Sequence, residues 1–175
     1  VAQARGANQK VEISNILFRG LFIALIGGIG LIVVHSFLFS SIFYFLAGDI
    51  GAEKLAMEYM SIRVLTAPFA ISIFVFVGWL FGMGKTFHSL CLLAVVNVLN
   101  ILLDIIFVKF FHLGIAGVAY ATIVSEFCGF CLGVYLSRDV LLNKENIKVK
   151  IIFLSSKWKL FILLNINIVI RSTLL

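Results

Sequence analysis

The chain of 175 residues is 62% hydrophobic and only 13% charged, with a mean hydropathy of +1.17. Soluble domains carry about 25% charged residues, so this composition excludes an ordinary water-soluble domain and indicates an all-α, polytopic membrane protein. The net charge of +6 does not indicate nucleic-acid binding, because the basic residues lie between apolar segments instead of forming a stripe on one face.

Val1 to Asn15 is polar and mixed, with Arg5, Lys10 and Glu12, and leads into an uncharged run from Gly20 to Gly48. That run of about 29 residues reaches roughly 43 Å as a helix, against a hydrocarbon core of about 30 Å, so a helix over about 16–48 must tilt, bend or project. Gly27, Gly28 and Gly30 mark the expected bend or close contact. Gly48-Asp-Ile-Gly51 reads as a loop. A second helix is expected over about 52–84, with Glu53 in its first turn. Pro68, the single proline, leaves the carbonyl of Val64 without its partner and should kink it. Arg63 lies just outside the kink and is long enough to snorkel to the interface or to take part in gating. Gly78-Trp-Leu-Phe-Gly82-Met-Gly84-Lys85-Thr86 superficially looks like a phosphate loop, but position 79 is Trp where that motif needs glycine and no strand precedes it. Gly78 and Gly82 read instead as a packing face.

The third helix, about 86–111, carries Asn97-Val-Leu-Asn-Ile-Leu-Leu-Asp104. At about 100° per residue Asn97, Asn100 and Asp104 share one stripe. An Asp near the centre of a membrane helix costs roughly 2.5–3.5 kcal/mol, which marks a protein-facing ionisable site. The fourth helix, about 113–137, follows after a very short connection, so the two are antiparallel neighbours. Counted from their shared end, Asp104 lies about 10 Å deep and Thr122 about 13 Å, while Asn97 and Glu126 lie about 21 and 19 Å deep. Two polar layers therefore match. Asp104, with Thr122 at a matching depth, is the candidate for binding a proton or small cation, and Asn97 with Glu126 form a secondary layer. Cys91, Cys128 and Cys131 all fall in apolar segments. The C-x-x-C spacing of the last two lacks a βαβ context and reads as packing. His35, His88 and His112 lie at different depths and make no metal-ligand pair.

After Asp139 the chain becomes basic, with Lys144, Lys148, Lys150, Lys157 and Lys159 around Trp158, before a fifth apolar segment from Leu160. Four crossings put these lysines on the side of Arg5, Lys10, Arg19, Lys85 and Arg138, opposite Lys54 and Lys109. That side is expected to be cytoplasmic, including residues 1–15 and 138–159. No initiator Met is present and the final apolar segment is short, so the chain reads as part of a longer polypeptide.

Several residues in order resemble the multidrug and toxic compound extrusion (MATE) transporters, most closely their DinF-type branch. They are Ala2-Gln3-Ala4 with Gly6-Ala7, Tyr59 and Arg63 before Pro68, and Gly78-Trp79-Leu80. The match continues through Asn97 and Asn100 to Asp104, Gly114 to Thr122, and Leu164-Asn165-Ile-Asn167 with Arg171. The resemblance implies twelve helices in two six-helix lobes, with residues 1–140 forming most of the N-terminal lobe from the end of helix two. It further implies an inter-lobe loop over 141–159 and the start of the C-terminal lobe over 160–175. The rest of the protein, helices one and two and the C-terminal lobe, would complete it. In similar proteins the N-terminal lobe holds a cation site whose Asn, Asp and Thr match Asn100, Asp104 and Thr122; its further Asp, on helix one, has no counterpart here. Phe81 and Lys85-Thr86 depart from the pattern of many members outside the DinF-type branch.

The function implied is ion-coupled export of amphipathic or cationic small molecules through the membrane lipid, in the inner membrane of a bacterial host, with no enzymatic step and no cofactor beyond the coupling ion, H+ or Na+. Apolar surroundings favour a neutral acid and hydrogen bonds favour the carboxylate, and their balance at Asp104 selects the ion. The alternatives are a lipid-linked precursor flippase of related architecture, an inactive truncated product, and polar residues that serve only as packing bonds between helices.

Overall fold

The computed structural model describes residues 1–46 and 50–142, together with Trp158 and Leu163. The expected basic loop, apart from Trp158, and nearly all of the fifth apolar segment lie outside the described residues. A short helix, α1 (Ala2–Gly6), turns through Asn8 at φ 54° into α2 (Lys10–Leu46). The second crossing is divided into α3 (Ile50–Arg63), a 3-10 turn over Val64–Thr66 and α4 (Ala67–Gly82). Two further helices, α5 (Thr86–Ile105) and α6 (Gly114–Leu136), precede the short α7 (Arg138–Leu141). Among the described residues, four stretches are long and apolar enough to cross a membrane: Lys10–Ile42, Ile50–Gly82, Thr86–Phe110 and Gly114–Leu136.

Local chemistry explains the boundaries. Pro68 lies in the first turn of α4, where its missing N–H would have had no helical partner anyway, so the chain breaks before the proline instead of bending through it. Gly84 ends α4 in the left-handed region at φ 65°. Its N–H meets the carbonyl of Phe81 at 2.8 Å and that of Lys85 reaches back to Leu80 at 2.9 Å. Both satisfy carbonyls that the helix end would otherwise strand. A side chain there would also run into the guanidinium of Arg5. The last turn after α5 opens into a π-helical segment, Ile106–Phe110, closed by the N–H of Phe111 on the carbonyl of Ile106 at 3.1 Å.

The helices pack as α2 on α4, α5 on α6, and α6 also on α3 and α4. Leu17, Ile73, Phe76, Trp79, Leu80 and Leu92 form the core. The indole N–H of Trp79 donates to the carbonyl of Ile13 at 3.1 Å, which ties α4 to the first turn of α2. Arg19 is buried against Glu12 at 3.1 Å, so it is held inside the fold instead of acting as a free surface cation. Trp158 stacks edge-on against Phe22, with ring centroids 6.0 Å apart. Many large apolar side chains face outward, including Val33, Phe74, Phe87 and Phe110, as lipid-facing helices require.

Of the glycines expected to make close approaches, Gly28 and Gly82 do so and the others do not. Gly28 on α2 faces the backbone of Pro68, whereas Gly27 and Gly30 meet nothing within 4 Å. Gly82 abuts Val1, and Gly78 meets nothing within that distance. The small-x-x-x-small face lies instead on α6, where Gly129 lies against Val96 and Ile73, and Gly133 against the ring of Phe76. A contact this tight leaves no room for a methyl group. Gly133→Val should therefore destabilise the fold by about 1–3 kcal/mol, while Gly27→Ala should be neutral or slightly stabilising. Thermal unfolding of detergent-solubilised protein checks this; equal shifts for both would show that α6 is not packed through Gly133.

Candidate functional site

The α5–α6 seam fixes which polar side chains meet. Val96 lies against Gly129, and Phe107 against Gly117. Between these contacts the amide of Asn100 donates to the hydroxyl of Thr122 at 3.1 Å. Thr122 in turn gives its proton to the carbonyl of Val118 at 3.0 Å. Its oxygen is thus free to accept, and the Asn100 carbonyl is not used in this bond. Asp104 follows one turn along α5 on the same side as Asn100. It is half-buried, and one of its carboxylate oxygens is buried without a hydrogen-bond partner among the described residues. The π-helical segment begins two residues later; such segments recur at functional sites.

Asn97 does not join this layer. It is exposed and donates to the carbonyl of Leu93 in its own helix at 2.9 Å. The seam at that depth passes through Val96, and the next residue around the helix points about 100° away. The expected pairing of Asn97 with Glu126 is therefore replaced. Glu126 turns toward α3, where the guanidinium of Arg63 meets its carboxylate at 2.8 Å. The same nitrogen lies 3.5 Å from the hydroxyl of Thr66, which donates to the carbonyl of Arg63 at 2.9 Å. Glu126 is only 7% exposed, and its second carboxylate oxygen has no hydrogen-bond partner among the described residues. Two neighbouring polar groups thus occupy successive turns of α6: Asn100 and Thr122, with Asp104 beside them, and then Arg63 and Glu126.

The ion pair was not found by matching depths between adjacent helices, because Arg63 comes from an element two crossings earlier. The usable signal was an arginine five residues before the only proline, at the edge of the uncharged run that starts at Val64. Arg63 also lines a cavity of about 410 Å³ between α2 and the divided second crossing, with His35, Tyr59, Met60 and Ile71 among its walls. Among the described residues no three His, Cys, Asp or Glu side chains converge on a possible metal position. Cys91, Cys128 and Cys131 are free thiols.

Apolar helices of membrane length that meet around internal carboxylates, amides and a guanidinium define a polytopic membrane protein with ionisable groups held between its helices. The chain belongs to the MatE family, whose model matches residues 1–106. It is 28% identical over 178 aligned residues to DNA damage-inducible protein F of Escherichia coli (strain K12), covering 99% of this chain and 38% of that protein. It is also similar to solved structures of a multidrug resistance MATE family transporter of the MOP superfamily. The outward-facing structure matches with a TM-score of 0.72 at 28% identity, over 77% of this chain and 30% of that one. The inward-facing structure matches with a TM-score of 0.73 at 27% identity, over 77% and 31%. The chain thus spans well under half the length of these relatives.

The hydroxyl of Thr122 is the acceptor of the Asn100 amide, so Thr122→Val should cost about 1–3 kcal/mol by stranding that donor. Adding Asn100→Leu should recover most of the loss, since both polar partners are then gone. Melting temperatures of the two single variants and the double variant check this. Additive losses would show that the two side chains do not depend on each other.

Proposed function

We propose that this chain forms most of the N-terminal lobe of an ion-coupled antiporter that exports amphipathic or cationic small molecules by alternating access. The observation that carries the reading is the oxygen-rich layer of Asp104, Asn100 and Thr122 between α5 and α6, with one Asp104 oxygen left without a hydrogen-bond partner among the described residues. A carboxylate, an amide carbonyl and a hydroxyl are hard oxygen donors suited to a proton or a sodium ion. An ion drives a conformational cycle only if it binds one state better than the other. A layer shared by two helices allows this, because a small change in their packing alters the distances among all three groups.

The near-equal likeness to outward- and inward-facing structures of a family transporter supports a lobe that keeps its internal packing while it moves as a body. On this reading the lobe works with the remaining helices of the full protein. The membrane is the inner membrane of a bacterial host, and the basic side of the helices faces the cytoplasm.

The test uses the full-length protein in cells or vesicles. Efflux of a fluorescent cationic dye is followed while the proton and sodium gradients are collapsed one at a time, for wild type and Asp104→Asn. Asp104→Asn should lower coupled efflux by about tenfold or more, and collapse of one gradient should do the same to the wild type. Undiminished efflux by Asp104→Asn would reduce the layer to packing bonds. A wild type that moves no dye under either gradient would point to a lipid or metabolite cargo.

A further inference from the structure

The second crossing is interrupted where neighbouring helices hold it from two sides. On one side, Gly28 of α2 is in contact with the backbone of Pro68, and any side chain at position 28 would displace it. On the other, Arg63, the last residue of α3, reaches across to Glu126 of α6 at 2.8 Å. Between them lie the 3-10 turn Val64–Thr66 and the first turn of α4 with Pro68. Ordinary helical hydrogen bonds are missing there, so bending this helix costs least at that point. Glu126 is one turn along α6 from Thr122, which accepts the amide of Asn100. Arg63 faces the cavity that also touches His35 and Tyr59.

From this juxtaposition we propose that Arg63 and Glu126 are a positioning pair that couples the break before Pro68 to the polar layer of Asp104, Asn100 and Thr122. The proposal rests on reading that layer as the ion site. Its physical basis is the burial of Glu126: its side chain is 9% exposed against 37% for Arg63, no other cation pairs with it among the described residues, and parting the two would leave a buried carboxylate without its counter-charge. When α6 shifts on α5 as the ion comes or goes, Glu126 moves with it and carries Arg63. The displacement is absorbed at the 3-10 turn, where α3 changes its angle to α4, and the cavity wall containing Tyr59, Met60 and Arg63 moves with α3. Glu126 touches neither the ion nor the cargo in this scheme, and Arg63 stands in the wall of the cavity. The pair transmits the state of the ion site to the shape of the space offered to the cargo.

The experiment uses the full-length protein in proteoliposomes, with ethidium as cargo, and separates binding from turnover. Four variants are compared with wild type: Glu126→Gln, Arg63→Gln, the double variant carrying both, and Asp104→Asn. Equilibrium release of bound ethidium by the coupling ion reports the ion site, and initial rates of gradient-driven efflux report coupling. Each single pair variant should keep the ion's half-maximal concentration within about twofold of wild type while efflux falls about tenfold or more. The double variant, a neutral amide pair with no stranded charge, should fold well and still transport slowly. Wild-type efflux by the double variant would overturn the proposal, because the ion pair would then serve folding alone. Loss of the ion response in the pair variants would also overturn it, by placing Glu126 in the ion site itself. If Asp104→Asn transports normally, the ion-site reading fails and this proposal with it; if only the pair variants do, this proposal fails alone.

Discussion

A carboxylate, an amide or a guanidinium can lie inside hydrocarbon only if another helix meets it there, and in this chain α6 is the helix that does so. Its glycines at 117, 129 and 133 bring it against α5 and α4 closely enough for short side chains to touch. Thr122 then reaches Asn100, and Glu126, turned a little further around the same helix, reaches Arg63. Close packing and polar satisfaction are one requirement here: a hydroxyl has little reach, so a helix held further away by larger residues would leave the amide without its acceptor.

The second crossing shows how a single residue type distributes its effects. Proline removes one donor, and the chain responds by starting a new helix at Ala67 instead of straining the old one. The end of α3 is then close to α6, and its terminal arginine is free to turn sideways. Thr66 returns its hydroxyl to the carbonyl of Arg63, which supplies a partner where the regular ladder stops. The break is therefore a well-bonded interruption, tied to both neighbours.

The fold class was legible in the sequence because hydropathy over long windows is a strong signal and the polar stripe of α5 stands out against it. The short connection and a count of rise per residue placed Thr122 level with Asp104, whereas the side chain that bonds to it is that of Asn100, one turn earlier on the same face. Other features depend on which side of a helix is covered, and no single helix carries that information. Asn97 belongs to the same stripe as Asp104, yet the seam passes through Val96 and turns Asn97 away. Gly78 and Gly82 have the spacing of a packing face, but the pair that meets neighbouring helices is Gly129, against Val96 and Ile73, and Gly133, against the ring of Phe76. The π-helical segment after Asp104 leaves no compositional trace in Ile106–Phe110. The pairing of Arg63 with Glu126 spans 63 positions, beyond any local pattern.

The difference in sequence separation between the two polar contacts bears on how such a chain is made. Asn100 and Thr122 are 22 residues apart, so at about 5–20 residues per second the amide waits roughly one to four seconds for its partner to be synthesised. Arg63, at 63 residues from Glu126, waits roughly three times as long. The short-lived mismatch falls to Asn100 and Asp104, whose side chains are too short to escape the lipid and whose helix can enter the bilayer as a hairpin with the next one. The long-lived one falls to an arginine, whose flexible stem can hold its charge at the headgroups until α6 arrives. The order of residues along the chain thus suits the order in which the ribosome delivers them.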